Sequence, residues 1–218
     1  MIKKDNAGSK TLRTYEYIKE GLQSGRWTFG DVISVVEIAN ELDVSRRPVI
    51  DALKRLETEY FVEIVPQTGC RVKNYSKDEM FDHFLTVMVL EGMSAYLAAQ
   101  RRNESEIEVL YQINQELNRV VEKQPFSSEN YFAVNRRLHG QILQMARSEK
   151  LQEITSSQWD LNDFFLANIP LIHEKLSQTI SEHELIFEKI FKKDFNGARS
   201  MMENHMYNFA LLVKRTET

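Results

Sequence analysis

The chain has 218 residues, of which 42% are hydrophobic, and its formal net charge is −4. The length and the hydrophobic content are sufficient for two small domains or one larger one. The sequence has no apolar run of about 18 residues, and its first residues, MIKKDNAGSK, lack an apolar core, so neither a membrane span nor a signal peptide is predicted. The single cysteine cannot form an internal disulfide, which together with these absences predicts a cytoplasmic protein.

A helix-turn-helix is predicted between residues 34 and 56, after an amphipathic helix over residues 11–23. Ser34 is placed to cap the first of the two helices, and Ser45 is placed to cap the second. Pro48 falls in the first turn of the second helix, where its missing N–H is tolerated. This order of signals is typical of motifs that place the second helix in the major groove of DNA.

Two strands are predicted after the second helix, over residues 61–65 and 71–75, because β-branched and aromatic residues are frequent there. The turn between them contains a glycine, which allows the loop to approach a phosphate backbone. Together these elements predict a winged helix-turn-helix with three helices and a two-stranded wing. The residues expected to contact DNA are Ser45, Arg46, Arg47, Ile50, Lys54, Thr68 and Gly69.

The run LDVSRRPVIDALKRLE, followed by FVEIVPQTGCRV, resembles the DNA-binding domain of GntR-family transcription regulators over about residues 10–75. The resemblance implies a homodimer that binds two half-sites of a double-stranded DNA operator. Residues 45–56 carry four basic side chains and one acidic side chain, which favours contact with DNA. The alternative is a winged helix that is used only for contacts with other proteins.

The sequence departs from the family pattern at three places near the expected DNA face. Ile50 and Val36 stand where arginines are common in the family, and Tyr60 replaces a glycine that usually follows the recognition helix. Arg46 is therefore expected to read bases, with Arg47 as a further donor, because an arginine fork fits the guanine edge. Ile50 could instead pack on a thymine methyl group, which predicts an operator unlike that of most relatives.

From residue 76 onward no strand pattern recurs, and capping residues and prolines divide the remainder into six helices. Ser76 followed by Glu79 is a capping box that marks the start of the first. The helices are predicted over about residues 77–101, 103–123, 129–146, 148–167, 171–193 and 195–215. The sequence thus predicts a mainly α protein, with the winged helix-turn-helix at residues 1–75 and an all-α bundle of six or seven helices at residues 76–218.

Three histidines of the bundle lie on different predicted helices. Asn135 precedes His139 by one helical turn, so both side chains share a face. His183 and His205 lie among apolar residues on the last two helices. Three imidazoles and an oxygen donor suit Zn²⁺, Ni²⁺ or Mn²⁺, whereas surface or hydrogen-bonded core histidines would explain the same pattern without a metal.

The segments N-x-x-L-H and S-E-H-x-x-I-F-x-x-I-x-x-x-D-x-x-x-A, with a histidine seven residues later, resemble the helical effector-binding FCD domain of FadR-type GntR regulators over about residues 78–212. The resemblance implies a small-molecule effector, such as an organic acid, and a Zn²⁺, Ni²⁺ or Mn²⁺ ion held by Asn135, His139, His183 and His205. Val87 and Met88 stand where relatives often carry an arginine for the effector carboxylate. The metal would then be left to hold that carboxylate.

The sequence therefore predicts a transcriptional regulator, most often a repressor in this family, whose operator affinity is controlled by the effector. One alternative is a regulator whose metal is structural or absent and whose bundle serves only dimerisation. A second alternative is a metal-dependent enzyme that uses the three histidines. The enzyme is disfavoured because it leaves the DNA-binding half without a role, and no catalytic residues are predicted.

Overall fold

The computed structural model describes residues 7–65, 69–168 and 172–215. By its internal contacts the chain divides into two compact units, Met1–Tyr75 and Ser76–Thr218. The first combines helices with a small sheet, and the second is helical in its described part. The predicted fold class, a winged helix-turn-helix followed by an α-bundle, is confirmed. None of the described helices is long and apolar enough to span a membrane.

The first unit contains helices and short strands in the order expected of a winged helix. In chain order they are α1 (Ala7–Gln23), β1 (Val32–Ile33), α2 (Val35–Glu41), α3 (Arg46–Thr58), β2 (Val62–Val65) and β3 (Gly69–Val72). The strands form one antiparallel sheet in the order β1-β3-β2.

This sheet differs from the predicted wing in two respects. β1 adds a third strand that the sequence did not indicate, because a two-residue strand is too short to show alternation. β3 begins at Gly69 and ends earlier than predicted, since Gly69 pairs with Val65 and Cys70 pairs with Ile64. Cys70 is also paired with Ile33 of β1 and is buried, which fixes the register of all three strands.

The helix-turn-helix consists of α2 and α3. It packs against α1 through α3, since α1 and α3 bury apolar stripes against each other. Core residues of this contact, all at most 2% exposed, are Ile18, Leu22, Val49, Leu53 and Leu56. Ser34 caps α2 as predicted, because its Oγ accepts a hydrogen bond from the backbone N–H of Glu37 at 3.3 Å. The opposite face of α3 is thereby left exposed.

Six helices make up the second unit in the part of the chain that the structure describes. They are α4 (Lys77–Arg101), α5 (Glu104–Glu122), α6 (Ser128–Met145), α7 (Glu149–Ala167), α8 (Ile172–Phe191) and α9 (Phe195–Arg215). The predicted capping box is present, since the Ser76 side chain accepts from the backbone of Glu79 while the Glu79 carboxylate accepts from the backbone of Ser76. α4 packs against α6, α7 and α9, and α9 also packs against α8, so the inner faces of these helices meet.

Candidate metal centre and DNA-contacting face

The three bundle histidines converge in the second unit. His139 lies on α6, His183 on α8 and His205 on α9, and each is at most 5% exposed. One ring nitrogen of each lies within 4.8 Å of those of the other two. The ring centroids of His183 and His205 are 4.7 Å apart, and the ring of His139 is 5.5 Å from both. The helix packing therefore gathers three of the four predicted metal ligands.

Asn114 on α5 fixes the protonation of the His183 ring. Its Oδ1 lies 3.2 Å from Nδ1 of His183, and its Nδ2 donates to the carbonyl oxygen of Ile180 at 3.3 Å. Because the amide nitrogen is used elsewhere, the amide oxygen accepts the proton carried by Nδ1. Nε2 of His183 is then an unprotonated, buried atom, and it has no hydrogen-bond partner among the described residues.

Glu182 on α8 orients His205 in a comparable way. Its Oε2 lies 2.7 Å from Nδ1 of His205, and its Oε1 accepts a hydrogen bond from Nδ2 of Asn208 at 2.7 Å. Within the described chain, Nε2 of His205 is also buried without a hydrogen-bond partner. A carboxylate behind the ring in this manner fixes the tautomer and raises the basicity of the other ring nitrogen.

Burial keeps these two imidazoles neutral. It lowers the pKa of His183 well below its usual value, and the neighbouring histidines lower that pKa further. Burial also lowers the pKa of His205, although the hydrogen bond with Glu182 acts in the opposite direction. A neutral imidazole offers the lone pair that a metal ion requires.

His139 contacts a buried carboxylate on α4. Oε2 of Glu91 lies 3.3 Å from Nδ1 of His139, while Oε1 of Glu91 accepts a hydrogen bond from Nε1 of Trp159 at 2.8 Å. Glu91 is 1% exposed. The indole of Trp159 therefore fixes this carboxylate beside the histidine ring. The sequence analysis did not predict this contact, because Trp159 is distant from Glu91 in the chain.

Asn135 lies one helical turn before His139 and lines the same cleft. Its Oδ1 is buried and, within the described part of the chain, has no hydrogen-bond partner. Buried polar atoms in native proteins are rarely left in this state, and a cation can satisfy an amide oxygen and imidazole lone pairs together. The donor set of three nitrogens and one oxygen thus fits a divalent ion such as Zn²⁺, Ni²⁺ or Mn²⁺.

A cleft of about 380 Å³, counting its open mouth, lies against this cluster. Its walls come from α4, α6, α7 and α9. Val87, which stands near the place where relatives often carry an arginine, lines the cleft and is 1% exposed. Lining residues that the sequence analysis did not single out include Arg136, Trp159, Asn162, Asp163, Met206 and Phe209.

Arg136 is the one lysine or arginine among the described residues that line the cleft. Its Nε and Nη2 both donate to Oδ2 of Asp163, the first at 3.0 Å, and its Nη1 donates to Oδ1 of Asp160 at 2.5 Å. Burial raises the pKa of Asp163 to about 6, and the charge of Arg136 opposes this rise. The sequence places Asp160 and Asp163 on one face of α7, but it gives no sign that Arg136 of α6 contacts them.

The first turns of α3 present an exposed basic surface in the first unit. Arg46, Arg47, Ile50 and Lys54 are all exposed. Nε of Arg47 donates to both carboxylate oxygens of Asp51 at 3.0 and 3.1 Å. Arg46 makes no hydrogen bond or ion pair within the described residues, so its whole guanidinium is available to a partner.

The three remaining residues that the sequence predicts to contact DNA are Ser45, Gly69 and Thr68. Ser45 precedes α3, but its side chain makes no capping hydrogen bond, contrary to the prediction, and the residue is exposed. Gly69 is exposed at the start of β3 with a φ of +114°, a conformation that favours glycine. Thr68 lies outside the described residues.

Comparison with known families identifies both halves of the chain. Residues 10–72 match the gntR family of bacterial regulatory proteins, and residues 83–208 match the FCD domain. The chain belongs to the GntR family. This GntR protein is a DNA-binding transcriptional regulator and not an enzyme.

Two relatives that are named as operon regulators support this assignment. The Uxu operon regulator of Haemophilus influenzae is 26% identical over 90% of this chain and 80% of its own length. The Nta operon transcriptional regulator of Aminobacter aminovorans is 29% identical over 59% of this chain and 60% of its own length.

Solved structures share the fold of this GntR protein. E. coli McbR/YncC superposes with a TM-score of 0.75 at 23% identity, covering 95% of this chain and 98% of its own. A putative GntR regulator from Rhodococcus sp. RHA1 gives a TM-score of 0.77 at 15% identity, covering 96% of this chain and 100% of its own.

Proposed function

We propose that this GntR protein is a homodimeric repressor whose operator affinity is set by a small carboxylate bound at a metal ion in the helical unit. The proposed metal ligands are Asn135, His139, His183 and His205. The observation that carries the proposal is the pair of unpartnered Nε2 atoms on His183 and His205, whose other ring nitrogens are already bonded. Leaving such buried groups unsatisfied costs about 1–3 kcal/mol each, which a bound cation would remove.

A divalent ion would supply the positive charge that holds an effector carboxylate. Asn135 contributes a neutral oxygen where relatives often have a carboxylate, so the ion would keep more of its charge and be bound less tightly. Val87 offers the cleft no donor, and Arg136 is already engaged by two aspartates. The ion is therefore the main partner that this cleft can offer to a carboxylate.

The proposed DNA contacts lie on the first unit, with Arg46 as the principal base reader and Arg47 as a further donor. The free guanidinium of Arg46 fits the two acceptors of a guanine edge. A homodimer would present two copies of α3 to two half-sites of an operator, which matches the symmetry of such proteins. The remaining proposed contact residues are Ser45, Ile50, Lys54, Thr68 and Gly69.

Metal binding is tested by titration of chelator-treated protein with Zn²⁺, Ni²⁺ and Mn²⁺ in a calorimeter. We expect one ion per chain, and loss of binding in His183→Ala. His83→Leu is the matched control, because His83 lies in the same unit but outside the cluster, and it should bind the ion normally. Equal metal binding by the wild type and by His183→Ala would rule out the proposed centre.

Control of DNA binding is tested by fluorescence anisotropy with a fragment of the protein's own promoter at low salt. We expect binding as a dimer, and lower affinity when metal and small carboxylates are added together, since a ligand acts only through its different affinity for the two states. If metal raises the melting temperature but no carboxylate changes DNA affinity, the metal is structural. A monomer that ignores the fragment would refute the proposal.

A further inference from the structure

Two buried acceptors in the cleft can still receive hydrogen bonds from a ligand after the four proposed metal ligands are set aside. They are Oδ1 of Asn162, which has no hydrogen-bond partner among the described residues, and Oε2 of Glu91, which makes no hydrogen bond there but lies 3.3 Å from Nδ1 of His139 and keeps a lone pair for a ligand. Both residues line the cleft, and they are 1% and 7% exposed. A ligand that fills this part of the cleft must therefore present hydrogen-bond donors to it.

These two acceptors stand on helices that are fixed against each other. Trp159 of α7 donates its indole N–H to Oε1 of Glu91 on α4 at 2.8 Å, which holds the carboxylate in place. Asn162 follows Trp159 by three residues, so its side chain leaves the same face of α7. The acceptors are thus preorganised, and a ligand meets them without reordering the helices.

The charge balance of the cleft, like its buried acceptors, favours a ligand that carries a positively charged donor. Three carboxylates, those of Glu91, Asp160 and Asp163, stand in or next to the cleft, against the single guanidinium of Arg136. Arg136 is shared by the two aspartates, and Glu91 contacts no lysine or arginine among the described residues. A divalent ion would offset the excess negative charge, and an effector carboxylate would then restore part of it.

We propose that the effector of this cleft carries a protonated amino group in addition to the carboxylate held by the metal, so that it is a zwitterionic amino acid. This inference rests on the proposed function for the metal and the carboxylate. The ammonium donates to Glu91 and Asn162, and it balances the charge that the carboxylate brings. A hydroxyl group at the same place donates one hydrogen bond but leaves the charge uncompensated, and an unsubstituted chain leaves both acceptors unsatisfied.

The test compares acids that share a carbon skeleton and differ in one substituent. Metal-loaded protein is titrated with alanine, lactate and propionate, with β-alanine and 3-hydroxypropionate, and with 4-aminobutyrate, 4-hydroxybutyrate and butyrate. Binding is measured by calorimetry and by the shift in melting temperature, and bound metal is quantified afterwards so that extraction of the ion is not counted. We expect at least one amino acid to bind about tenfold more tightly than its hydroxyl and unsubstituted counterparts.

Variants at Asn162 separate the acceptor from chelation of the metal by the amine. Asn162→Leu should remove most of the preference for the amino acid, and Asn162→Asp should strengthen the preference, with bound metal quantified in both variants so that only fully loaded proteins are compared. Asn118→Leu is the matched control, because Asn118 is an asparagine of the same unit that does not line the cleft and bonds to Glu122. It should behave as the wild type.

The outcomes distinguish this inference from the proposed function. Hydroxy acids or unsubstituted acids that bind as tightly as the amino acids would overturn the amino group and leave the carboxylate effector intact. A preference for amino acids that is unchanged in both Asn162 variants would also overturn it. If none of the acids binds to the metal-loaded protein, the carboxylate effector of the proposed function fails as well.

Discussion

Tyr60 lies directly after α3 with a φ of +68°, in the left-handed region. This conformation costs a residue with a side chain about 1–2 kcal/mol relative to glycine, the residue that the family pattern described for the sequence has at this place. The side chain offers limited compensation, since it is 63% exposed and its ring lies 5.5 Å from the Lys73 ammonium.

Tyr60→Gly should raise the free energy of unfolding by about 0.5 kcal/mol, because relief of the backbone exceeds the greater entropy of the unfolded chain. Tyr60→Ala is the control, since it removes the ring but keeps the backbone penalty. Urea denaturation measures both variants. Stabilisation by alanine equal to that by glycine would show that the ring, and not the backbone conformation, is unfavourable.

Arg46 and Arg47 are neighbours on α3, but among the residues that the structure describes only Arg47 forms an ion pair, with Asp51. Arg46→Ala should therefore weaken binding to the operator by about 1–3 kcal/mol, because a free guanidinium that reads a base is lost. Arg47→Ala should have a smaller effect. Anisotropy titrations against the promoter fragment measure both, with Lys150→Ala in the helical unit as a charge-matched control.

Ile50 is 37% exposed on α3, at a place where the family pattern described for the sequence has an arginine. If Ile50 packs on a thymine methyl group, selection from random DNA should return sites with thymine at that step, and Ile50→Arg should shift the preference towards guanine. Recovery of the common family operator by the unaltered protein would contradict this expectation.

At the scale of elements, α8 supplies two neighbouring residues that serve different helices. His183 bonds to Asn114 on α5, and Glu182 bonds to His205 on α9. One short segment of α8 thus connects α5 and α9 through the cluster. Because each partner fixes one imidazole, the metal affinity of the site should depend on residues that would never touch the ion.

Asn114→Leu should lower metal affinity about 10- to 100-fold, because His183 loses the acceptor that fixes its proton on Nδ1. Asn118→Leu, one turn further along α5, should leave metal affinity unchanged. Calorimetry with the ion that the wild type binds best provides the measurement. An Asn114→Leu protein that folds and binds metal normally would show that helix packing alone positions the ring.

At the scale of the whole molecule, buried histidines tie stability to pH. Burial lowers the pKa of His83 to about 4, and Nε2 of this residue has no hydrogen-bond partner in the described chain. The unfolded chain takes up this proton at a higher pH than the folded chain. The contribution of neutral His83 is therefore complete above about pH 6.5 and is lost as the pH falls towards 4. Asp163 opposes this trend, because its raised pKa favours the folded state on acidification.

His83→Leu should reduce the loss of stability between about pH 7 and pH 4.5 by an amount on the order of 2 kcal/mol. The measurement is urea denaturation of chelator-treated protein at both pH values, so that release of metal does not contribute. An identical pH dependence in the variant would mean that His83 is not responsible for it.

The sequence by itself determined the helices and their order, because capping residues, prolines and apolar spacing act within a few residues of each other. The capping box at Ser76 and the buried stripe of α3 are examples. It also determined the pairing of Asn135 with His139, since one helical turn separates them. The predictions that were wrong also concern short local features. The sequence did not indicate the two-residue β1, and it misplaced the ends of β3 and the capping hydrogen bond at Ser45.

Only the tertiary structure decided what surrounds the histidines. Asn114, Glu182, Trp159 and Arg136 act on partners from other helices, and their roles depend on how α4 to α9 pack. No spacing along the chain encodes such contacts, because they arise when separate apolar faces are buried together. The local chemistry of each residue was therefore readable in advance, whereas the unpartnered lone pairs and acceptors that point to a ligand exist only in the folded bundle.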